Sequence, residues 1–153
     1  MRDELILVVD DHQAMRSLMS DILIPEGYTV IQAINGLDAL EKIQLHSFDL
    51  IITDLQMDKM DGEALITHLN EEGSQLPIIV MTGHGSESVA TRLFRMGVRD
   101  YLIKGEKGVN PAEVLEAVDR SLRERRVTKE RDDLAREITR ANVGNNRRFQ
   151  ELK

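Results

Sequence analysis

Leu5-Ile6-Leu7-Val8-Val9-Asp10-Asp11 (residues 5–11) is an unbroken apolar run that ends in a pair of carboxylates. A strand with one wet face alternates apolar and polar residues, so a continuous run bounded by polar residues reads as a strand buried on both faces, as in a parallel sheet. The same form recurs three times. Leu50-Ile51-Ile52-Thr53 runs into Asp54, Ile78-Ile79-Val80-Met81 into Thr82, and Tyr101-Leu102-Ile103 into Lys104. In an open α/β sheet the ligand site lies just outside the carboxyl ends of the strands. The pattern therefore predicts that three carboxylates, a hydroxyl and an ammonium converge. That set suits a divalent cation and a phosphoryl group.

Outward from these runs, strand and helix patterns alternate five times, which predicts a doubly wound α/β domain. Strand 1 is expected over residues 4–9 and helix 1 over His12 to Leu23, stopping near Pro25 and Gly27. Strand 2 is expected from Tyr28 to Ala33, and Asn35 can cap helix 2. Helix 3 follows Asp61-Gly62, helix 4 carries Val89, Leu93 and Met96, and strand 5 ends at Lys104. Gly73, Gly97 and Gly105 fall where element ends need permissive backbone. Asn110-Pro111 reads as the N-cap and first position of a fifth helix. Its i,i+4 charge pairs continue past Leu122, and no Gly or Pro intervenes before Gly144. A helix over residues 111–143 would be about 50 Å long, so its distal half must be solvated or paired with another chain. The expected organisation is a domain over 1–122, a helical extension over 123–143 that can form a coiled coil, and a flexible end or the start of a further domain over 144–153.

The chain has 153 residues, 41% hydrophobic and 31% charged, ordinary values for a globular domain. It holds no cysteine, no apolar stretch of membrane-spanning length and no opening signal peptide, since Asp3 and Glu4 follow Met1 closely. The expectation is a cytoplasmic protein without a membrane partner. Residues 1–110 carry 9 basic and 18 acidic residues, net −9, whereas residues 111–153 carry 11 and 9, net +2. The acidic body argues against a direct nucleic-acid surface, which would show a basic patch.

Each strand-end residue has a chemical use. Asp10 and Asp11 offer hard oxygen ligands for Mg²⁺. Asp54 completes the acid cluster and is the candidate nucleophile, forming an acyl phosphate. Lys104 can pair with Asp54 and then with phosphoryl oxygens, and Thr82 can donate its hydroxyl to them. His12, His46, His68 and His84 share no ligand spacing and read as ordinary surface or satisfied histidines.

At Asp10-Asp11, Asp54-Leu55-Gln56-Met57 with Asp61-Gly62, Thr82-Gly83 and Tyr101-Leu102-Ile103-Lys104, the chain resembles the receiver domain of two-component response regulators, over about residues 3–122. The resemblance implies a flavodoxin-like (βα)5 sheet of order 2-1-3-4-5, here with an extended last helix. It implies that Asp54 accepts a phosphoryl group from a histidine kinase or phosphotransfer protein. Asp11 and Asp54 would ligate Mg²⁺, with Asp10 nearby and the Gln56 backbone carbonyl contributing. Thr82 and Tyr101 would form a switch pair that reshapes the surface of helix 4, strand 5 and helix 5. The side chains of Gln56 and His84 would flank the path of hydrolytic water. The chain would be a switch and not an enzyme. It departs from the family pattern at Asp58, where proline is usual, and at Gly105, where the lysine is usually followed by proline.

Two other readings compete. A haloacid-dehalogenase-like phosphatase also uses an aspartyl phosphate, but wants a second Asp two residues after the nucleophile, where this chain has Gln56. A receiver-like interaction module that is never phosphorylated would have no use for an intact acid cluster. In the tail, Val127, Leu134, Ile138 and Ala141 form a thin stripe that could pair two copies of the chain, interrupted by Arg131 and Asn145. The ending Arg147-Arg148-Phe149-Gln150-Glu151-Leu152 resembles the beginning of a PAS domain, which suggests the N-terminal part of a larger sensor or regulator.

Overall fold

In a computed structural model, residues 3–83, 85–106 and 108–151 are described, with side chains to Ala141. Five strands, β1 (Leu5–Val9), β2 (Thr29–Ala33), β3 (Leu50–Thr53), β4 (Ile78–Thr82) and β5 (Asp100–Ile103), form one sheet of order β2-β1-β3-β4-β5. Every pairing is parallel. The helices are α1 (Gln13–Leu23), α2 (Gly36–Leu45), α3 (Gly62–Glu71), α4 (Glu87–Arg95) and α5 (Pro111–Glu151), with a 3₁₀ turn at Ile24–Glu26.

The runs of β1, β3 and β4 are buried because successive side chains serve opposite faces of the sheet, whereas the run of β5, at the sheet edge, is only partly covered and leaves Ile103 59% exposed. Ile6, Val8, Leu50, Ile52, Ile79 and Met81 meet Met19 and Leu23 of α1 and Val114, Val118 and Leu122 of α5. Leu7, Val9, Ile51 and Val80 face the other way, against Leu65, Ile66 and Leu69 of α3 and Leu93 of α4. This is the period of two along a strand, satisfied on both sides at once. Helix starts carry the chemistry expected of them: Asn35, Asp61 and Ser86 each accept a backbone N–H three residues on.

The chain divides into two compact units, 1–122 and 123–153. The first holds the sheet; the second is the distal part of α5, described as helix to Glu151. That end lies beyond the expected residue 143, because a single glycine such as Gly144 costs a helix only about 1 kcal/mol and does not stop it. Two other expectations shift. His12 is the N-cap of α1 rather than its first turn. Gly73 and Gly97 do take left-handed backbone, with φ of 76° and 92°, but after β5 that role falls to Gly108 (φ 95°) and not to Gly105. Gly105 instead exchanges two backbone hydrogen bonds with Gly108, at 2.8 and 3.0 Å. That pair closes the loop where the family's usual proline is missing.

Candidate phosphoryl and metal site

The strand register sets the site. Val9 pairs with Thr53, Thr53 with Val80, and Thr82 with Ile103, so β1 and β3 end level and β4 and β5 run two residues past them at the same edge. Backbone hydrogen bonds carry the ladder one residue further. Asp10 donates to the Ala33 carbonyl (3.1 Å), Asp54 to Val9 (3.0 Å) and Lys104 to Thr82 (2.9 Å). Asp10, Asp54, Thr82 and Lys104 are thus held by the sheet itself, which confines their side chains to one rim.

At that rim Lys104 Nζ donates to Asp10 Oδ2 at 2.8 Å and to Asp54 Oδ2 at 3.2 Å. Both carboxylates are almost fully buried, Asp10 at 3% and Asp54 at 7% exposure. Burial works against the Lys104 charge, but the hydrogen bond and charge of Asp10 and the charge of Asp54 outweigh it, raising the ammonium's pKa above the ordinary lysine value. The lysine pairs with two acids, where the sequence predicts a pairing with Asp54. The other oxygen of Asp54 accepts the Leu55 N–H at 2.7 Å, and Asp10 Oδ1 accepts the His12 N–H at 2.9 Å.

Asp11 is more open and lies beside His12, with Nδ1 to Oδ1 at 2.9 Å. One potential ligand atom from each of Asp10, Asp11, His12 and Asp54 falls within 4.8 Å of the others. Three carboxylates against one ammonium leave an excess negative charge, and their donors are hard oxygens. The set fits a divalent cation of the Mg²⁺ type.

Thr82 is buried, 1% exposed, at the last position of β4. Tyr101 packs its ring into the core on the α3–α4 side of the sheet, and its hydroxyl is buried with no hydrogen-bond partner among the described residues. Gly85 makes room for it: a Cβ there would sit 2.5 Å from the Tyr101 hydroxyl. Gln56 is exposed, and His84 lies outside the described residues.

Two neighbours of the site were not singled out for it in the sequence. His12 read as an ordinary histidine, yet it touches both acids of the pair. Arg16 donates from Nη1 to the Asp10 backbone carbonyl (2.8 Å) and from Nε to Gln32 Oε1 (3.2 Å), tying the turn after β1 to β2. The available signal was helical spacing: Arg16 stands one turn after His12, on the first turn of α1.

The family model of the response regulator receiver domain matches residues 6–119. The chain is 34% identical over 118 residues to the chemotaxis protein CheY of Bacillus subtilis (strain 168), covering 76% of this chain and 96% of that protein. It is 35% identical over 105 residues to the Regulator of RpoS of Escherichia coli (strain K12), covering 69% of this chain and 31% of that longer protein. Among solved structures, a CheY-like response regulator receiver domain protein from Methanospirillum hungatei JF-1 superposes with a TM-score of 0.76 at 28% identity, covering 83% of this chain and 99% of the other. NtrX from Brucella abortus superposes with a TM-score of 0.79 at 27% identity, covering 87% of this chain and 30% of the other.

Proposed function

Because the chain belongs to the response regulator receiver domain family, we propose that it is a phosphoacceptor switch in which Asp54 takes a phosphoryl group from the phosphohistidine of a histidine kinase or phosphotransfer protein. A carboxylate oxygen of Asp54 attacks phosphorus, the P–N bond breaks, and the imidazole leaves with the electron pair. Asp10, Asp11, Asp54 and the Gln56 carbonyl would hold Mg²⁺, which when bound neutralises charge on the phosphoryl oxygens. Lys104 follows the developing charge from its present seat between Asp10 and Asp54, and the Thr82 hydroxyl donates to a phosphoryl oxygen. Tyr101, on the neighbouring strand, reads the movement of Thr82 and passes it to the surface of α4, β5 and α5. The observation that carries this reading is the bifurcated contact of Lys104 with two nearly buried aspartates. A single ammonium holding two acids at a strand-end rim is a poor stability device and a good charge clamp for an incoming phosphoryl group.

The partner in this reading is another protein, met in the cytoplasm, with no direct nucleic-acid contact. Among the described residues no helix is long and apolar enough to cross a membrane. Distal α5 carries the signal away, and its exposed Val127, Leu134 and Ile138 would pair with a second copy of the chain. Nothing here favours the phosphatase reading, since no acid stands two residues after Asp54.

The test is direct. Incubation with Mg²⁺ and acetyl phosphate should add one phosphoryl group to the wild type, read by intact mass, and none to Asp54→Ala. Labelling that survives Asp54→Ala, or a wild type that never labels with either acetyl phosphate or beryllofluoride, would sink the proposal. The second outcome would leave the interaction module that is never phosphorylated.

A further inference from the structure

Phosphoryl transfer as described makes no use of the imidazole that stands in the acid cluster. His12 Nδ1 lies 2.9 Å from Asp11 Oδ1 and 3.3 Å from Asp10 Oδ1. It is within 4.8 Å of ligand atoms on all three carboxylates. Its backbone explains why it is held there. The His12 N–H donates to Asp10 Oδ1 at 2.9 Å, and its carbonyl accepts from Met15 and Arg16, both at 3.1 Å. The residue caps α1 with its main chain alone, and its side chain makes no cap hydrogen bond. The ring is 74% exposed, so it fills no core space. The cap takes nothing from the imidazole, whose Nδ1 is turned to the two acids and within hydrogen-bond distance of both.

A donor set of three carboxylates is indifferent to anything but charge and size, and suits Mg²⁺. Adding an imidazole nitrogen changes that preference. Mg²⁺ gains little from nitrogen, whereas first-row transition-metal dications gain steadily along the series to nickel and copper. We propose that His12 Nδ1 is a metal ligand of this site, giving it a second specificity for a transition-metal dication alongside Mg²⁺. This deepens the reading of Asp10, Asp11 and Asp54 as the metal-holding set and rests on it. The consequence is regulatory: a metal held by His12 occupies the same carboxylates that Mg²⁺ needs, so the metal at hand sets how readily Asp54 is phosphorylated. The bland alternative is that His12 only balances the charge of the acid pair.

Calorimetric titration of Mg²⁺ and Ni²⁺ into wild type, His12→Ala and Asp54→Ala separates these readings. His68→Ala serves as control, because His68 with Glu72 (2.9 Å) is another place where Ni²⁺ could bind. His12→Ala should weaken Ni²⁺ binding by about 10- to 100-fold, the loss already seen when mere outer-shell partners are removed, and leave Mg²⁺ affinity unchanged. His68→Ala should leave the Asp54-dependent Ni²⁺ site untouched. Because the His12 ring is exposed, circular dichroism of His12→Ala should match wild type. Equal Ni²⁺ affinity in wild type and His12→Ala would overturn the proposal, as would equal weakening of both metals. Failure of the wild type to bind Mg²⁺ would instead strike the phosphoacceptor reading, and the Ni²⁺ comparison would still decide the role of His12.

Discussion

Gly62 stands against the backbone of Asp54, the candidate phosphoacceptor. A Cβ there would lie 2.1 Å from the Asp54 carbonyl oxygen and 3.0 Å from its carbon, both parts of a strand end that cannot give way cheaply. Gly62→Ala should therefore destabilise by about 1–3 kcal/mol and depress acetyl phosphate labelling, and unchanged urea midpoint and labelling would contradict the packing argument. Lys104 makes a different kind of demand. Lys104→Met would strand Asp10 and Asp54 without their ammonium, costing about 3 kcal/mol in metal-free buffer. Added Mg²⁺ should recover part of that loss by binding the native state. It should bind the variant more tightly than wild type, since a competing cation is gone; weaker binding would show that Lys104 does not compete. At this scale the sequence was legible wherever a functional residue follows an apolar run, as Asp10, Asp54, Thr82 and Lys104 do. It was silent on His12 and Arg16, because what brings them to the acids is the cap and first turn of a helix.

Among the elements, the start of α2 is the most informative. Asn35 Oδ1 accepts the Asp38 N–H at 2.9 Å, while Asp38 Oδ2 accepts the Ile34 N–H at 2.9 Å and its carboxylate pairs with Lys42. Asn35→Ala should cost about 1 kcal/mol, read by urea unfolding. Burial alone would raise the Asp38 pKa, but the Ile34 hydrogen bond and the Lys42 and Arg16 charges prevail, and it falls below the ordinary value of 3.8. A folded-state pKa below the unfolded one means that the stabilisation is complete above pH 3.8 and is lost as pH falls through the folded value. The stability gap between wild type and Asp38→Asn should accordingly be constant near neutrality and close in acid. A gap that widens on acidification would reverse the sign of this account. The cap at Asn35 was readable from residue type and position. The bond that Asp38 accepts from Ile34, one residue before the cap, was not, because a capping pair usually places Glu or Gln at that position and returns to the cap residue itself. Likewise Gly144 looked like a helix end, although one glycine costs only about 1 kcal/mol and α5 runs on to Glu151 even through the weak helix formers Asn145 and Asn146.

For the molecule as a whole, the acidic sheet domain and the mixed-charge helix make separate demands. Val127, Leu134 and Ile138 are each about half exposed, and water would be excluded from them by a second copy of the same helix. Sedimentation of the full chain, with and without beryllofluoride, should show self-association that weakens when Leu134 and Ile138 are replaced together by Glu. Monomer masses under all conditions at high concentration would refute the pairing. The sequence by itself determined the order of elements, the burial of β1, β3 and β4 and the candidate phosphoacceptor, because a parallel strand buried on both faces writes an unbroken apolar run and the polar residue after it can only stand at the rim. Tertiary structure decided what those rim residues do to one another. His12 meets the acid pair through the local turn that caps α1, but that Lys104 is shared between Asp10 and Asp54 and that Tyr101 buries its hydroxyl beside Gly85 depend on register and packing between separate elements. Distances of a few ångströms are set there, and no local pattern records them.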